Sequence, residues 1–261
     1  MPSGRRPNPR DFSGLKFFME DWKSRTRMLV TRDGEKRLGA SHIMIVGLGG
    51  VGSVAAEMVV RSGVGHITVL DCDTVSETNR NRQLPALVST MGRRKTEVVA
   101  ERLLDINPDL DLKVVDEYLT AENVSELVPR DVDYLIDAID TLAPKLALIK
   151  FCVDNHIPLV SSMGSGAKFD ITKVRIADLS KSFNCPLAFI VRKKLRKMGI
   201  AKGFKVVFSE ELPVEEAIVE MSAEEQAETS NKKSQVGTIS YLPVTFGCAC
   251  AQAALTTLLQ P

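Results

Sequence analysis

From residue 42 onward, the chain alternates between two patterns of apolar and polar residues. Short apolar runs predict buried strands, and the longer stretches between them, with apolar residues at helical spacing, predict helices. Such alternation is typical of an α/β protein in which helices cover a mostly parallel sheet. We predict strands at residues 42–46, 66–71, 112–119, 132–140 and 157–164.

The stretches between these runs complete the predicted pattern. A glycine-rich turn and a helix occupy residues 47–63, and further helices are predicted at 95–107 and 145–155. Strand-like alternation at 168–180 and 203–211 predicts additional strands toward the C-terminus.

Two segments depart from this pattern. Residues 1–24 are polar and partly basic and predict an N-terminal arm, with a short helix near residues 15–29, ahead of a single domain at 25–261. Residues 214–235 are rich in glutamate and poor in large apolar residues, so we predict a mobile surface segment there. A strand-like start and an apolar helix follow it.

Composition and charge limit the classes of partner and of metal site that the chain is expected to have. The 261 residues carry a net charge of +1, so any site for a nucleic acid must be a local patch. No window reaches 18 consecutive apolar residues and no signal peptide is evident, so we expect no membrane partner and a cytoplasmic location. The five cysteines include no CxxC pair, which argues against a disulfide framework or a structural zinc site.

The turn GLGGVG matches the G-x-G-x-x-G motif through Gly47, Gly49 and Gly52. Between a strand and a helix, these glycines permit a tight turn, a close approach of phosphate and close helix packing. Asp71 ends the next predicted strand 19 residues after Gly52, where a carboxylate can accept hydrogen bonds from a ribose. We therefore favour a Rossmann-like, doubly wound nucleotide-binding domain over a glycine turn that serves packing alone.

The stretch TNRNRQ at residues 78–83 bears on which nucleotide binds. A nicotinamide oxidoreductase would share the glycine motif but needs no cluster of cations, whereas a triphosphate attacked at its α-phosphate needs donors along its whole length and a metal. Arg82 and Lys95 can supply positive charge to phosphates, and Asn79 and Gln83 can orient the chain. This set favours ATP over a dinucleotide and over an ordinary solvated loop.

Two carboxylates, Asp137 and Asp140, lie at the carboxyl end of the fourth predicted strand, beside the expected crevice. Magnesium prefers one or two carboxylates completed by water and phosphate, so Asp140 is a candidate Mg²⁺ ligand. The alternative is that Asp140 caps the helix predicted at 145–155.

Taken in order, G-x-G-x-x-G, D-x-D, N-x-N-R-Q, a later lysine and D-x-x-D resemble the ubiquitin-activating type of adenylating enzyme, the ThiF and MoeB-like family. The resemblance implies a ribose contact for Asp71, phosphate contacts for Arg82, Gln83 and Lys95, and Mg²⁺ at Asp140. It also implies a homodimer in which an arginine of the neighbouring subunit enters the site, and Arg25 matches that position.

Residues 163–197 resemble one branch of that family, the tRNA threonylcarbamoyladenosine dehydratases. This resemblance implies that the chain uses ATP to adenylate the threonylcarbamoyl carboxylate beside the anticodon of a tRNA and to close it into a ring. It further implies a monovalent cation, Na⁺ or K⁺, whose ligands the sequence does not place. The alternative is adenylation of the C-terminus of a ubiquitin-like sulfur carrier, with a sulfur-transfer protein as partner.

A basic stretch and a cysteine also bear on this branch. The cations at 192–197 can neutralise tRNA phosphates, although a solvated helix face is the alternative. Cys185 lies where some relatives carry a working cysteine, but an acyl-adenylate can cyclise without an enzyme nucleophile, so a structural thiol is favoured. The candidate tRNA contacts are Arg192, Lys193, Lys194, Arg196 and Lys197.

Overall fold

The computed structural model describes residues 21–222 and 234–260. Its main sheet has seven strands, and a second sheet has two. The strands are β1 His42–Val46, β2 His66–Leu70, β3 Asp111–Val115, β4 Tyr134–Asp137, β5 Leu159–Ser162, β6 Val174–Asp178, β7 Lys205–Ser209, β8 Ile218–Glu220 and β9 Ser234–Val236. The α-helices are α1 Ser24–Ala40, α2 Gly52–Arg61, α3 Lys95–Ile106, α4 Val124–Leu127, α5 Leu142–Asp154, α6 Pro186–Lys197 and α7 Tyr241–Leu258.

The main sheet has the order β3-β2-β1-β4-β5-β7-β6, and its strands are parallel except where β6 pairs antiparallel with β7. This confirms the predicted α/β fold with extra C-terminal strands. The winding reverses between β1 and β4, so a crevice opens at their carboxyl ends, where open α/β sheets bind ligands.

Helices cover both faces of the sheet because the central strands are apolar on both sides. Along β1, Met44 and Val46 face the core beneath α4, α5 and α6. Ile43 and Ile45 face the opposite core, beneath α2, α3 and α7. Continuous apolar strands of this kind are expected in a doubly covered parallel sheet.

Several predicted boundaries differ from the structure. The strand predicted at 168–180 is wrong in its first half, because residues 171–173 form a 3₁₀ turn and pairing begins at Val174. The strand predicted at 132–140 ends at Asp137, which places Asp140 in a turn. The arm predicted at 1–24 lies outside the described residues up to residue 20, and the nearby helix runs over Ser24–Ala40.

The two ends of the segment predicted to be mobile, 214–235, carry short strands. Strands β8 and β9 pair there with Ile218 opposite Val236. The Val214 N–H donates to the Ala167 carbonyl at 2.8 Å, and the Gly237 N–H donates to the Ala217 carbonyl at 2.8 Å. Residues 223–233 lie outside the described part of the chain.

Helix α7 is long and apolar enough to span a membrane by length and composition. It packs as a core helix, however, with Leu242, Phe246 and Cys250 buried against α2 and the sheet. Its apolar character is therefore explained by its place in the core.

Candidate nucleotide-binding site

The glycine turn lies at the carboxyl end of β1 in the geometry that the motif predicts. Gly47 has a φ of +91°, in the left-handed region that favours glycine. A Cβ on Gly52 would stand 1.7 Å from the Gly47 carbonyl oxygen, so no larger residue fits there without moving the backbone. The turn consequently leads into α2 with its N–H groups at the crevice, the arrangement that binds phosphate.

Asp71 lies at the carboxyl end of β2 and is 8% exposed. Its carboxylate accepts hydrogen bonds from the Leu48 N–H at 2.5 Å and the Asp73 N–H at 2.7 Å. Burial raises the pKa of Asp71, while Lys95 and the two N–H donors oppose that rise. The side chain thus holds the glycine turn, and each of its oxygens keeps a second lone pair for a ligand donor.

The polar loop at residues 78–83 packs against the glycine turn. A Cβ on Gly50 would stand 3.0 Å from the Arg82 carbonyl oxygen, and one on Gly49 would stand 3.7 Å from the Gln83 amide nitrogen. Hydrogen bonds within the loop fix its conformation, because the Asn79 carbonyl accepts from the N–H groups of Arg82 and Gln83. It therefore forms one wall of the crevice.

Most side chains of this loop are bonded within the protein, but one buried acceptor is not. The Arg82 guanidinium donates through Nη1 to the Thr78 carbonyl and to Asn81 Oδ1, both at 2.8 Å. The Gln83 Oε1 is buried and has no hydrogen-bond partner among the described residues. An unsatisfied buried amide oxygen is costly, so this carbonyl oxygen suits a ligand or water that donates to it.

Lys95 begins α3 and is 4% exposed. Its ammonium donates to Asp73 Oδ2 at 2.7 Å, and its backbone N–H donates to the Asp73 carbonyl at 3.0 Å. Asp73 in turn donates its own N–H to Asp71. The predicted phosphate contact is therefore a lysine held in place by the strand end that carries the ribose candidate.

A buried ion pair, which the sequence reasoning missed, supports the end of β4. Asp137 and Lys145 are both fully buried and join through Oδ2 and Nζ at 2.6 Å. Lys145 also donates to Ser161 Oγ and to the Ser162 carbonyl, both at 3.0 Å. This pair encloses the Asp137 carboxylate, so of the two carboxylates at this strand end only Asp140 is exposed. The only sequence signal was a lysine within the apolar stretch of α5.

Asp140 lies in the exposed turn between β4 and α5. The alternative role as a helix cap is not borne out, because Thr141 occupies the N-cap position of α5. The Ile139 N–H donates to Asp137 Oδ1 at 3.0 Å, so the buried ion pair anchors the turn. Ala138 packs on the glycine turn, 2.9 Å from a Cβ built on Gly47, and this contact brings Asp140 to the crevice.

Two sets of acidic side chains, the cluster around Asp71 and Asp73 and the single Asp140, differ in how well they suit a metal cation. The ligand atoms of Asp71, Cys72 and Asp73 lie within 4.8 Å of one another. The ammonium of Lys95 already neutralises Asp73, and burial together with Asp73 and Asp71 raises the pKa of Cys72 to about 11. An exposed carboxylate such as Asp140 fits the preference of Mg²⁺ for one carboxylate completed by water and phosphate.

A cavity of about 310 Å³ adjoins the Asp140 turn. Tyr118 forms part of its lining together with Lys194 of α6, so the cavity lies between the start of α5 and α6. Its other lining residues belong to the start of α5: Thr141, Leu142, Ala143, Pro144 and Leu146.

The remaining candidates lie outside the crevice or serve packing. Arg25 is exposed at the start of α1, and Cys185 is buried at the N-cap of α6 next to Gly164. Arg192 is half-buried, and its guanidinium donates hydrogen bonds to Ser182 within the fold. The other four predicted tRNA contacts on α6 are placed differently. Lys193, Lys194, Arg196 and Lys197 are exposed.

Two curated relatives cover most of the chain. The tRNA threonylcarbamoyladenosine dehydratase of Bacillus subtilis is 44% identical over 191 residues, which are 73% of this chain and 75% of the relative. The enzyme of the same name from Escherichia coli is 43% identical over 188 residues, 70% of each chain.

Solved structures agree with this similarity. The crystal structure of the Escherichia coli tRNA N6-threonylcarbamoyladenosine dehydratase in complex with ATP has a TM-score of 0.80 and 37% identity, covering 89% of this chain and 91% of that one. The sequence pattern described as the ThiF family matches residues 23–261. That span includes the glycine turn, the polar loop and the Asp140 turn, and the chain belongs to the ThiF family.

Proposed function

We propose that this chain is an ATP-dependent tRNA threonylcarbamoyladenosine dehydratase. The observation that carries the proposal is the meeting of the glycine turn, the donor loop at 78–83 and Lys95 at the point where the sheet winding reverses. The relatives that share this domain at 43–44% identity are dehydratases of that name. No comparably placed CxxC pair exists in the sequence for the zinc module expected of sulfur-carrier activators.

Each wall of the crevice has a part in binding ATP. We assign the glycine turn of Gly47, Gly49 and Gly52 to the phosphates, because its N–H groups lie at the start of α2. Asp71 accepts from the ribose hydroxyls, and Arg82 and Lys95 neutralise the phosphate oxygens. Asn79 shapes the loop, and the Gln83 amide orients the phosphate chain.

The proposed reaction depends on how the substrate is positioned beside ATP. The threonylcarbamoyl carboxylate attacks the α-phosphorus of ATP, an acyl-adenylate forms and pyrophosphate leaves. A nitrogen of the same substrate attacks the activated carbonyl, the ring closes and AMP leaves with the former carboxylate oxygen. Because nucleophile and electrophile belong to one molecule, a high effective molarity replaces an enzyme nucleophile. Cys185, buried within the fold, is not required.

Further partners are assigned on the same basis. Asp140 would hold Mg²⁺, which would supply positive charge to offset the charge that develops on the phosphates. The family resemblance adds a monovalent cation and a homodimer in which Arg25 reaches the neighbouring site, and we retain both as part of the proposal. We also place the enzyme in the cytoplasm, with tRNA as its substrate.

Mass spectrometry of nucleosides tests the function. Modified tRNA is incubated with the protein, ATP and magnesium and is digested under conditions that preserve a labile ring. We expect the threonylcarbamoyladenosine to lose one water only when ATP is present, with AMP released. An unchanged nucleoside, with AMP formed only when a carrier protein with a terminal diglycine is added, would assign the chain to the sulfur-carrier activators instead.

Replacing Asp140 by Asn tests the proposed metal ligand. We expect the half-saturating magnesium concentration for AMP release to rise at least about tenfold, the lower range for losing a supporting metal contact. Asp154→Asn is the matched control, since Asp154 is exposed at the other end of α5 and pairs with Lys150. An Asp140→Asn magnesium titration that overlays the wild type would contradict the assignment.

A further inference from the structure

Helix α6 has one buried side and one solvent side. Ala188, Val191 and Leu195 are fully buried at helical spacing and attach the helix to the core beneath α5. The opposite side therefore needs no apolar residue for folding. It nevertheless carries two of them, Phe189 and Ile190, both exposed.

The exposed residues form two adjacent rows along α6. Phe189, Lys193 and Arg196 follow one another at spacings of four and three residues, and so do Ile190, Lys194 and Lys197. Each row extends roughly 10 Å along the axis at 1.5 Å per residue. We call these six residues the α6 face.

The charge of the α6 face is not neutralised within the described part of the chain. Helix α6 contains no acidic residue, and no ion pair forms at Lys193, Lys194, Arg196 or Lys197 among the described residues. Some exposed cations elsewhere are paired, as Lys150 is with Asp154 and Arg93 is with Glu101. A cluster of unpaired cations on one surface favours a polyanionic partner.

Phe189 adds a feature that a simple anion would not need. It is 58% exposed, and its ring has no aromatic partner in the described structure. Phe183, by contrast, makes an edge-to-face contact with Phe208 at 5.6 Å. Exposed aromatic rings among cations are the platforms on which unpaired bases stack in single-stranded nucleic acids.

The α6 face shares a cavity with the start of α5. Lys194 lines the same cavity as Thr141, the residue that follows Asp140. A polynucleotide that placed one nucleotide beside the start of α5 would therefore have neighbouring nucleotides within reach of α6.

We propose that the α6 face binds the unpaired loop of the substrate tRNA, with an unpaired base stacked on Phe189 and phosphates held by Lys193, Lys194, Arg196 and Lys197. This inference rests on the proposed function. It adds an aromatic stacking residue, Phe189, to the basic tRNA contacts that the sequence predicted. Stacking is independent of salt, whereas each phosphate contact releases counterions. The two contributions can therefore be separated by experiment.

Binding of modified tRNA is measured against salt concentration for Phe189→Ala, Phe189→Tyr and the double variant Lys193→Gln, Arg196→Gln. We expect Phe189→Ala to weaken binding about tenfold at every salt concentration, equivalent to 1.4 kcal/mol, with Phe189→Tyr close to wild type. The double variant should reduce the slope of log affinity against log salt by about 1.4, at about 0.7 per single-strand phosphate contact. Leu104→Ala, an exposed apolar truncation on α3 across the sheet, is the control.

A second substrate separates this proposal from the proposed function. With the free threonylcarbamoyladenosine nucleoside, which has no loop to stack, AMP release by Phe189→Ala should equal that of the wild type. Equal tRNA affinity for wild type and Phe189→Ala would overturn the platform while AMP release still supported the dehydratase. A Phe189→Ala protein that lost only self-association in sedimentation would likewise overturn it and make α6 a contact between copies.

Discussion

Lys95→Ala is expected to lower the rate of AMP release about 100- to 1000-fold, the range for losing one preorganised donor from a reacting centre. The ammonium is almost fully buried, and Asp73 holds it by a 2.7 Å hydrogen bond beside Asp71. On the proposed function, this held ammonium would stabilise developing charge on the phosphates without the cost of reorganising in water. Single-turnover rates at saturating ATP and tRNA measure the effect.

The fold should survive this substitution. Its partner Asp73 has an exposed side chain, so the remaining carboxylate can be hydrated. Arg93→Ala is a suitable control, because Arg93 lies two residues away and pairs with Glu101 on the outside of α3. A Lys95→Ala enzyme as fast as Arg93→Ala would remove Lys95 from the phosphate site.

Lys145→Met is expected to destabilise the protein by about 3–5 kcal/mol, the cost of leaving one member of a buried ion pair without its partner. Asp137 would remain fully buried, with Ser161 Oγ and the Ile139 N–H as its remaining donors. Chemical denaturation with a constant m-value measures the loss.

Two further variants test the cause of that loss. Lys150→Ala removes an exposed pair with Asp154 on the same helix and should cost less than about 1 kcal/mol. The double variant Asp137→Leu, Lys145→Met removes both charges and should recover most of the stability. A double variant as unstable as Lys145→Met would show that packing, rather than an unpaired charge, causes the loss.

The ion pair of Asp137 and Lys145 also connects the stability of the fold to the candidate nucleotide-binding site. The Asp137 carboxylate accepts from Ile139, in the turn that carries Asp140. Lys145 joins that strand end to β5 through Ser161 and Ser162. The turn that carries Asp140 is therefore supported by a buried charge network.

Local patterns predicted the parts of the site that belong to one strand and its following turn. The glycine turn, Asp71 at the end of β2 and the start of α3 at Lys95 all lie where the sequence indicated. Such features depend on neighbours within a few residues, because glycine conformation, strand alternation and helix starts are local properties. The start of the strand predicted at 168–180 and the strands β8 and β9 depend instead on pairing with other strands, which a local pattern does not show.

The sequence by itself determined that this is a doubly wound nucleotide-binding domain and which residue types surround its crevice. Only the tertiary structure decided how those residues are used: Lys95 is bound to Asp73, Asp137 is enclosed with Lys145, and Arg192 is tied to Ser182. The physical reason is that hydrogen bonding and burial of a side chain depend on partners distant in sequence. A residue's type fixes what it can bind, and the packing of other elements fixes what it does bind.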